Sequence, residues 1–461
     1  MKKFSITAFA KIIKARPVQR SIGNSQFAKA DFFTDVSIDS RTTKAGDCFF
    51  AVAGDNFDGH CYVADALAKG AVCAVVEKNE SIKSKAKCRI LKVDDTIKAL
   101  GDFARDYRRQ GGFKVVAITG SVGKTATRQI AYHVLSRHFR VYQAPKNFNN
   151  NIGVPLTLLA AEPEDEIIIA ELATNQPGEI AYLTGIAEPD IAVVTNAGVA
   201  HLAGFGDLES IIKEKLSILK GLRPNGLFIV NAALVNRNIT GRVVTFGRSS
   251  SCDIKASNIH FNGTGSNFNI GQVRITSPLA GLGNVENALA AWAVCSCFGV
   301  SIDNFAHSVK SLSALAMRAE LLQIGKLTVL NDCYNANPVS MKNALEILVN
   351  LGLVRKGRLV FICGDMAELG NQAGRLHAEL GTSIAQAKVQ LLLTVGDFAE
   401  IAAETARAAA EYDLKIKSFQ DKISLCNNLE RFIKDSDIIL VKGSRVAKLE
   451  MVVDKLKELF G

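Results

Sequence analysis

Residues 115–125 read Val-Val-Ala-Ile-Thr-Gly-Ser-Val-Gly-Lys-Thr. The run opens as an apolar strand and breaks into a glycine turn. Gly120 and Gly123 let backbone N–H groups approach phosphate oxygens, Lys124 supplies a positive charge, and the Thr125 hydroxyl is a ligand for Mg²⁺. The full phosphate-loop pattern has a further glycine where this chain has Ile118, so this is a shortened loop. It predicts binding of a nucleoside triphosphate, against the alternative of an ordinary turn between a strand and a helix.

The residues after this loop read as a helix from Arg128 to Arg140. Lys124 would then lie at a helix N-terminus, where the helix dipole and the free N–H groups favour anions. The position of the lysine therefore strengthens the prediction of a phosphate site.

The pattern of predicted strands and helices changes twice along the chain. This predicts an α/β protein of three domains with boundaries 1–95, 96–316 and 317–461. The first part alternates short β-type runs with a helix at 64–69. In the second and third parts, apolar strands separated by helices indicate parallel sheets covered on both faces, and the third part resembles a Rossmann-like unit. The predicted strands are 48–53, 71–77, 90–93, 115–119, 167–172, 191–196, 227–231, 327–330, 359–363, 391–395 and 438–441.

Composition limits the classes of protein to which the chain can belong. It has 461 residues, of which 48% are hydrophobic and 22% charged, and lysines interrupt its apolar N-terminal stretch. We therefore expect a soluble, cytoplasmic protein without membrane insertion. Its ten cysteines show no CxxC or Cys/His spacing, which predicts reduced core cysteines. The net charge of +10 is dispersed, so nucleic-acid binding is the less favoured interpretation.

Polar side chains follow two of the predicted central strands. Glu171 ends one apolar strand, and His201 follows the next. Ligands of open parallel sheets collect outside the carboxyl ends of the strands, so both side chains are expected to approach Thr125, metal and phosphate. Lys213 and Lys215 are two residues apart on a predicted helix and face different directions, so one is expected to face the site.

A third polar segment, Asp332-Cys-Tyr-Asn-Ala-Asn-Pro, directly follows a predicted strand. Tyr334, Asn335 and Asn337 offer hydrogen-bond donors and acceptors suited to a small polar substrate. The alternative is turn and helix-capping chemistry, with Ser340 as the cap.

Several motifs recur in an order that resembles the Mur ligase family, over the whole chain. They are Thr-Gly-Ser-Val-Gly-Lys-Thr, 147–157 (Asn-Phe-Asn-Asn-Asn-Ile-Gly-Val-Pro-Leu-Thr), 177–180 (Pro-Gly-Glu-Ile), 200–206 (Ala-His-Leu-Ala-Gly-Phe-Gly), 284–291 (Asn-Val-Glu-Asn-Ala-Leu-Ala-Ala), 332–338, 364–370 (Gly-Asp-Met-Ala-Glu-Leu-Gly) and 442–445 (Lys-Gly-Ser-Arg), with Asp39-Ser-Arg and Asp58-Gly-His near the N-terminus. The segment Tyr-Asn-Ala-Asn-Pro is similar to that of the members that add D-alanyl-D-alanine. The resemblance implies an ATP- and Mg²⁺-dependent ligase that joins this dipeptide to UDP-N-acetylmuramoyl-tripeptide through an acyl phosphate, and we expect a monomer.

The resemblance also implies a role for each matching residue. The ATP-binding residues would be Gly120, Ser121, Val122, Gly123, Lys124, Thr125, Asn287, Arg318 and Asp332. The Mg²⁺ ligands would be Thr125, Glu171, His201 and Lys215, the last if carbamylated, and Lys124, His201 and Lys215 would be catalytic. The substrate-binding residues would be Ser40, Arg41, Asn149, Asn150, Tyr334, Asn335 and Asn337, with Ser40 and Arg41 at the UDP end.

Departures from the family pattern and rival functions remain at this point. Gly283 stands where a histidine usually precedes the Asn-x-x-Asn motif, which affects part of the adenine contact. The rivals are a ligase that adds a single amino acid to another carrier, and a nucleotide-binding switch without ligase chemistry. The sequence does not distinguish lysine from diaminopimelate at the third position of the tripeptide.

Overall fold

The structure is a computed structural model that describes residues 3–17, 32–54, 57–80, 90–145, 147–200, 202–235 and 241–461. Within these ranges the chain forms three α/β parts in sequence order, as predicted. No helix in the described ranges combines the length and the apolar character needed to cross a bilayer.

The N-terminal part is built on a small, mostly parallel sheet. Its strands lie in the spatial order Arg16–Pro17, Ile90–Val93, Cys73–Glu77, Asp47–Phe50 and Asp35–Ser37, and only the first of them pairs antiparallel. Two further strand pairs join Phe4–Ser5 to Phe32–Phe33 and Ala53–Gly54 to Phe57–Asp58. The helices are Ile6–Ile12 and Val63–Ala68, with a 3₁₀ turn at Gly59–Tyr62.

The central sheet has nine strands among the described residues. Their spatial order is Val141–Gln143, Ile167–Glu171, Lys114–Thr119, Ile191–Val194, Leu227–Asn231, Arg242–Gly247, Ile254–Phe261, Ser266–Ile270 and Val273–Ser277. The first seven pair in parallel. The last two continue the sheet from the seventh, Ile254–Phe261, as an antiparallel extension that the sequence did not predict. The parallel register sets Ile118 opposite Glu171 and Thr119 opposite Val194, so the predicted polar side chains leave the sheet at one edge.

Helices cover both faces of the central sheet. They are Thr96–Gln110, Lys124–Leu135, Gly153–Leu159, Glu179–Ala187, Leu202–Phe205, Leu208–Leu216, Leu282–Ser296 and Ile302–Lys310, with 3₁₀ turns at Ser217–Gly221 and Ala232–Leu234. The helix predicted from Arg128 to Arg140 begins four residues earlier, at Lys124, and ends at Leu135, which corrects that prediction.

The C-terminal sheet carries the Rossmann-like pattern. Its strands lie in the order Glu320–Ile324, Leu327–Asn331, Ile438–Lys442, Leu359–Gly364, Leu391–Val395 and Lys415–Phe419, and only the first is antiparallel. The helices are Pro338–Arg355, Ala373–Gln386, Asp397–Ala409, Lys422–Cys426, Leu429–Phe432 and Glu450–Phe460, with a 3₁₀ turn at Gly370–Gln372.

The helix Thr96–Gln110 connects the first two parts. Phe103 is fully buried, and its ring centroid lies 4.7 Å from that of Phe9 and 5.6 Å from that of Phe33. On the same helix, Arg108 donates to the backbone oxygens of Ala187, Phe113 and Glu188 and to the Asp190 carboxylate. This buried arginine therefore fixes the helix to the central part, because each of its N–H groups needs an acceptor. The domain boundaries at 95/96 and 316/317 stay predictions.

Candidate functional site

A cavity of ≈ 1060 Å³ opens between the central and C-terminal parts, and we call it the interdomain cavity. Its lining contains most of the residues that the sequence predicted for the site. These are Ser121, Val122, Gly123, Lys124, Thr125, Asn149, Asn150, Glu171, Asn287, Arg318, Asp332, Tyr334, Asn335 and Asn337. One cavity therefore joins motifs that lie more than two hundred residues apart in the chain.

The phosphate loop, residues 120–125, joins the strand Lys114–Thr119 to the helix that begins at Lys124. Gly120 has a φ of 149° and Gly123 a φ of 86°, a region that residues with a Cβ rarely adopt. A Cβ on Gly123 would lie 2.1 Å from Asn287 Oδ1, so the glycine is also required by the close approach of that amide. The Lys124 ammonium donates to Gly120 O at 2.8 Å, which folds the side chain back over the loop.

The two residues that directly follow the strand Ile191–Val194 hold the phosphate loop in place, and the sequence analysis predicted neither of them. Thr195 Oγ1 donates to Val122 O at 2.6 Å. Asn196 accepts from Ser121 N at 3.1 Å through its backbone oxygen and from Val122 N at 3.0 Å through Oδ1. The N–H groups of Ser121 and Val122 are therefore occupied. Because the first N–H groups of a helix have no partner within it, the backbone donors available to an anion are those from Gly123 onward.

Glu171 lies at the centre of the polar cluster next to the loop. Its Oε2 accepts from Thr125 Oγ1 at 2.9 Å, and its Oε1 accepts from Asn149 Nδ2 at 3.0 Å. Arg128 Nε lies 3.8 Å from the same carboxylate. Burial acts to raise the pKa of Glu171, but the charges of Lys124 and Arg128 outweigh it and hold this pKa below its usual value.

This cluster fits a hard cation. Mg²⁺ takes oxygen ligands and is usually held by one or two carboxylates together with substrate phosphates, and Thr125 and Glu171 present a hydroxyl and an ionised carboxylate in contact. The described residues contain no group of three or more His, Cys, Asp and Glu that would form a metal cage of protein ligands alone. His201, the further ligand expected from sequence, lies outside the described residues.

Lys215 is buried and does not line the cavity, whereas Lys213 is exposed. The two side chains point in opposite directions from the helix Leu208–Leu216, as predicted. Only 2% of Lys215 is exposed. Burial, aided by the positive charge of Lys124, lowers the pKa of Lys215 to about 7. The amine of this lysine is therefore substantially neutral near pH 7.

The neighbouring Glu214 was also missed from sequence. It is buried and accepts from Gly178 N and Ile180 N, both at 2.8 Å, at the start of the helix Glu179–Ala187. This carboxylate therefore fixes the helix that carries Lys215 against the Pro-Gly-Glu-Ile segment.

The C-terminal part supplies the opposite wall. The Arg318 guanidinium lies 3.9 Å from the centre of the Tyr334 ring, and that of Arg445 lies 5.9 Å from it, so Tyr334 orients Arg318 by a cation–π contact. Arg318 is close enough for its charge to affect the pKa values of Lys124 and Glu171. The C-terminal part therefore brings a cation to the phosphate loop.

Asp332 and Lys442 form a buried ion pair in this wall. Lys442 is 1% exposed, and its ammonium donates to Asp332 Oδ2 at 2.5 Å and to Asn335 O at 2.9 Å. Asp332 Oδ1 accepts from Ala319 N at 2.9 Å, next to Arg318. Lys442 had no role in the sequence analysis, yet it holds the segment 332–335 in place.

Some predicted site residues have a structural role that accounts for their side chains. Asn337 is the N-cap of the helix Pro338–Arg355 and forms a capping box with Ser340, so the cap is Asn337 and the expected cap at Ser340 is wrong. Asn150 Oδ1 accepts from Ile152 N and Gly153 N at the start of another helix. Both residues still line the cavity.

Ser40 and Arg41 do not line the interdomain cavity, and they lie in the N-terminal part. Arg41 is exposed and binds the Asp39 carboxylate through two nitrogens, which lowers the pKa of Asp39 to about 2. Lys69 donates to the backbone oxygens of Ser40 and Arg41. This segment is thus a basic turn, remote in the chain from the phosphate loop.

Comparisons with known proteins agree with this arrangement. Family models match at residues 33–108 (Mur ligase family, catalytic domain), 118–295 (Mur ligase middle domain) and 317–445 (Mur ligase, glutamate ligase domain). Two similar curated proteins are both named UDP-N-acetylmuramoyl-tripeptide–D-alanyl-D-alanine ligase. The one from Bacillus subtilis is 33% identical over 96% of this chain and 97% of its own length, and the one from Escherichia coli is 35% identical over 94% and 96%.

Solved structures are similar as well. A crystal structure of MurF from Acinetobacter baumannii has a TM-score of 0.88 at 30% identity and covers 99% of each chain. MurF from Thermotoga maritima in complex with ADP has a TM-score of 0.82 at 26% identity, over 92% of this chain and 97% of that one. With full-length relatives above 30% identity and family models matching in all three parts, the chain belongs to the Mur ligase family.

Proposed function

We propose that this chain is an ATP-dependent ligase that joins D-alanyl-D-alanine to UDP-N-acetylmuramoyl-tripeptide in peptidoglycan precursor synthesis. The single observation that carries the proposal is the interdomain cavity. In it the phosphate loop and the Thr125–Glu171 pair face Arg318, Tyr334 and Asp332 of the C-terminal part. Full-length relatives named for this reaction support the choice of substrates.

The chemical problem is that a carboxylate is a poor acylating agent. In the proposed reaction the terminal carboxylate of the tripeptide attacks the γ-phosphate of ATP, which gives an acyl phosphate and ADP. The amine of D-alanyl-D-alanine then attacks the acyl carbon, and phosphate leaves. The protein contributes mainly by positioning the reactants and by stabilising charge in the transition state.

Each wall of the cavity has a task in this scheme. Lys124 and the N–H groups from Gly123 onward hold the phosphates, and Arg318 adds a cation from the other side. Thr125 and Glu171 would hold Mg²⁺, with His201 and a carbamate on Lys215 as further ligands. When bound, Mg²⁺ supplies charge neutralisation between the attacking carboxylate and the triphosphate. Asn287 would contact the adenine, and Asp332 the ribose.

The remaining substrates would occupy the rest of the surface. Asn149, Asn150, Tyr334, Asn335 and Asn337 would contact the reacting ends of tripeptide and dipeptide, and Ser40 and Arg41 would bind the UDP end. The domain limits 1–95, 96–316 and 317–461 would then separate UDP binding, ATP binding and dipeptide binding. We place the reaction in the cytoplasm and expect a monomer.

The test is a phosphate-release assay with ATP, D-alanyl-D-alanine and UDP-N-acetylmuramoyl-tripeptide that carries either lysine or diaminopimelate at its third position. Each component is omitted in turn. Release that requires all three substrates supports the proposal, and the preferred tripeptide identifies the third residue. Release that continues at the full rate without the dipeptide would refute it and would favour a nucleotide hydrolase.

A further inference from the structure

One stripe of the helix Pro338–Arg355 meets three glycines of the central part. A Cβ on Gly198 would lie 2.6 Å from Val339, one on Gly281 would lie 2.6 Å from Ile347, and one on Gly283 would lie 2.9 Å from Asn343 Nδ2. Val339, Asn343 and Ile347 are spaced by four residues, so they form a single row on one face of the helix. The C-terminal part therefore approaches the ATP-binding part through this row.

Asn343 is the only polar member of the row, and packing does not explain it. Its apolar neighbours in the row meet glycines by simple contact. Asn343 is partly buried and lines the interdomain cavity, and its side-chain amide has no hydrogen-bond partner among the described residues. An amide in such a place leaves donor and acceptor groups to be satisfied by water or by a ligand.

Gly283 allows the close approach of Asn343 because it lacks a side chain, and not because of its backbone conformation. It lies in the first turn of the helix Leu282–Ser296 and has no positive φ, so any residue could adopt its conformation. What a side chain would disturb is the position of Asn343 Nδ2. The glycine and the asparagine amide thus meet across two parts of the chain.

The place of this pair relative to the phosphate loop indicates what it meets. Asn287 contacts the loop at Gly123, and Asn287 Nδ2 donates to Asn284 Oδ1 at 3.1 Å. Gly283 lies on the same helix one turn before Asn287. Contacts therefore run from the phosphate loop through Asn287 and one turn of the helix to Gly283, and across the interface to Asn343.

We propose that Asn343 reads the adenine of ATP across the domain interface, by accepting a hydrogen bond from the 6-amino group, and that Gly283 leaves the room for it to do so. Asparagine is suited to this edge because its amide matches the donor and acceptor pattern of adenine. The proposal rests on the proposed function, of which it names a further specificity residue. It also makes base recognition depend on the C-terminal part, so a nucleotide holds the two parts together.

The test measures equilibrium binding by calorimetry, without any acceptor substrate. ADP is compared with purine riboside diphosphate, which lacks the 6-amino group, for the wild type, Asn343→Ala and Gly283→Ala. Alanine favours the helix at position 283, so this second variant should fold while it displaces the Asn343 amide. Lys342→Ala is the matched control, because Lys342 is exposed and does not line the cavity.

We expect both variants to weaken ADP binding by about three- to tenfold, the value of one net hydrogen bond, and to leave the binding of purine riboside diphosphate unchanged. Lys342→Ala should alter neither. Equal losses for the two diphosphates would show that Asn343 only packs, and unchanged ADP binding in Asn343→Ala would show that it does not touch the base. Either result overturns the proposal. If the wild type catalyses no ligation, but the variants lose affinity for ADP and not for purine riboside diphosphate, the proposed function is overturned and the role of Asn343 stands.

Discussion

The state of Lys215 allows a quantitative prediction about its reaction with CO₂. Its pKa of about 7 follows from burial and from the charge of Lys124. At pH 8 an amine with this pKa is about 90% neutral, whereas a lysine with the ordinary pKa is about 0.3% neutral, a ratio of about 300. Only the neutral amine adds CO₂ to give a carbamate. We therefore expect Lys215 to be carbamylated in bicarbonate buffer at pH 8, to a much greater extent than any exposed lysine.

The sign of the pH dependence follows from the direction of the shift. Since the pKa is lowered to about 7, the neutral fraction rises as pH increases through 7 and falls to about 9% at pH 6. Addition of CO₂ to the amine also releases a proton, so acid opposes it further. At a fixed concentration of dissolved CO₂, the carbamate occupancy, below saturation, should therefore fall by more than tenfold between pH 8 and pH 6. Ligation activity that depends on the carbamate should fall with it.

The assay is ¹³C NMR of the protein in ¹³C-labelled bicarbonate, with the carbamate signal normalised to dissolved CO₂. Lys215→Ala should remove the signal, and Lys213→Ala, which changes the exposed lysine on the same helix, should retain it. A wild type without the signal at pH 8, or a signal that survives Lys215→Ala, would refute the reasoning.

Three further substitutions test the loop and the wall opposite to it. Lys124→Ala should lower kcat by about 10³- to 10⁵-fold in the phosphate-release assay, as for other single cations at phosphoryl-transfer sites, with an unchanged thermal midpoint. Gly123→Ala should weaken ADP binding more than tenfold in calorimetry, because its Cβ would clash with the Asn287 amide. Gly299 also has a positive φ but faces open space, so Gly299→Ala should introduce only backbone strain. Equal ADP affinities of the two variants would contradict the predicted clash. Lys442→Met should destabilise the protein toward urea by about 3 kcal/mol, because it leaves a mostly buried carboxylate unpaired. Lys326→Met breaks an exposed pair and should leave the urea midpoint in place; equal midpoints for these two methionine variants would contradict the assignment.

The sequence predicted the strands well where apolar runs were continuous. Leu227–Asn231 and Leu391–Val395 have the predicted bounds, because all their residues except the partly buried Leu227 are buried. The strands Ile254–Phe261 and Ser266–Ile270 were missed. Burial alternates irregularly along the first, and three of the five residues of the second are Ser or Asn, so neither has a continuous apolar run. Local apolar pattern therefore identifies the centre of a sheet better than its edge.

The start of the helix after the phosphate loop shows another limit of local pattern. Lys124–Thr127 reads Lys-Thr-Ala-Thr, which lacks the apolar spacing of a helix, and no Ser, Thr, Asp or Asn cap precedes it. The helix begins there because Gly123 adopts a left-handed conformation and serves as the N-cap itself. The position of the lysine at a helix N-terminus was nevertheless predicted.

Residues whose roles depend on contacts between distant segments could not be found from sequence. Asn196 holds the loop from the segment after another strand, and Lys442 neutralises a carboxylate 110 residues earlier in the chain. The motif Lys442-Gly-Ser-Arg was visible, but its function required knowledge of which residue it faces. Asn343 belongs to no recognisable motif, because its proposed role depends on its contact with Gly283 in the central part.

The charges beside the phosphate loop explain why the site depends on two parts of the chain. The charges of Lys124, Arg128 and Arg318 all lower the pKa of the buried Glu171 carboxylate, so three cations lie near one anion. Such an excess of positive charge in a poorly solvated place is costly until anions arrive. One of the three, Arg318, belongs to the C-terminal part, and Tyr334 keeps it oriented. A bound triphosphate would therefore relieve the repulsion and favour the arrangement in which both parts meet, which couples nucleotide binding to assembly of the site.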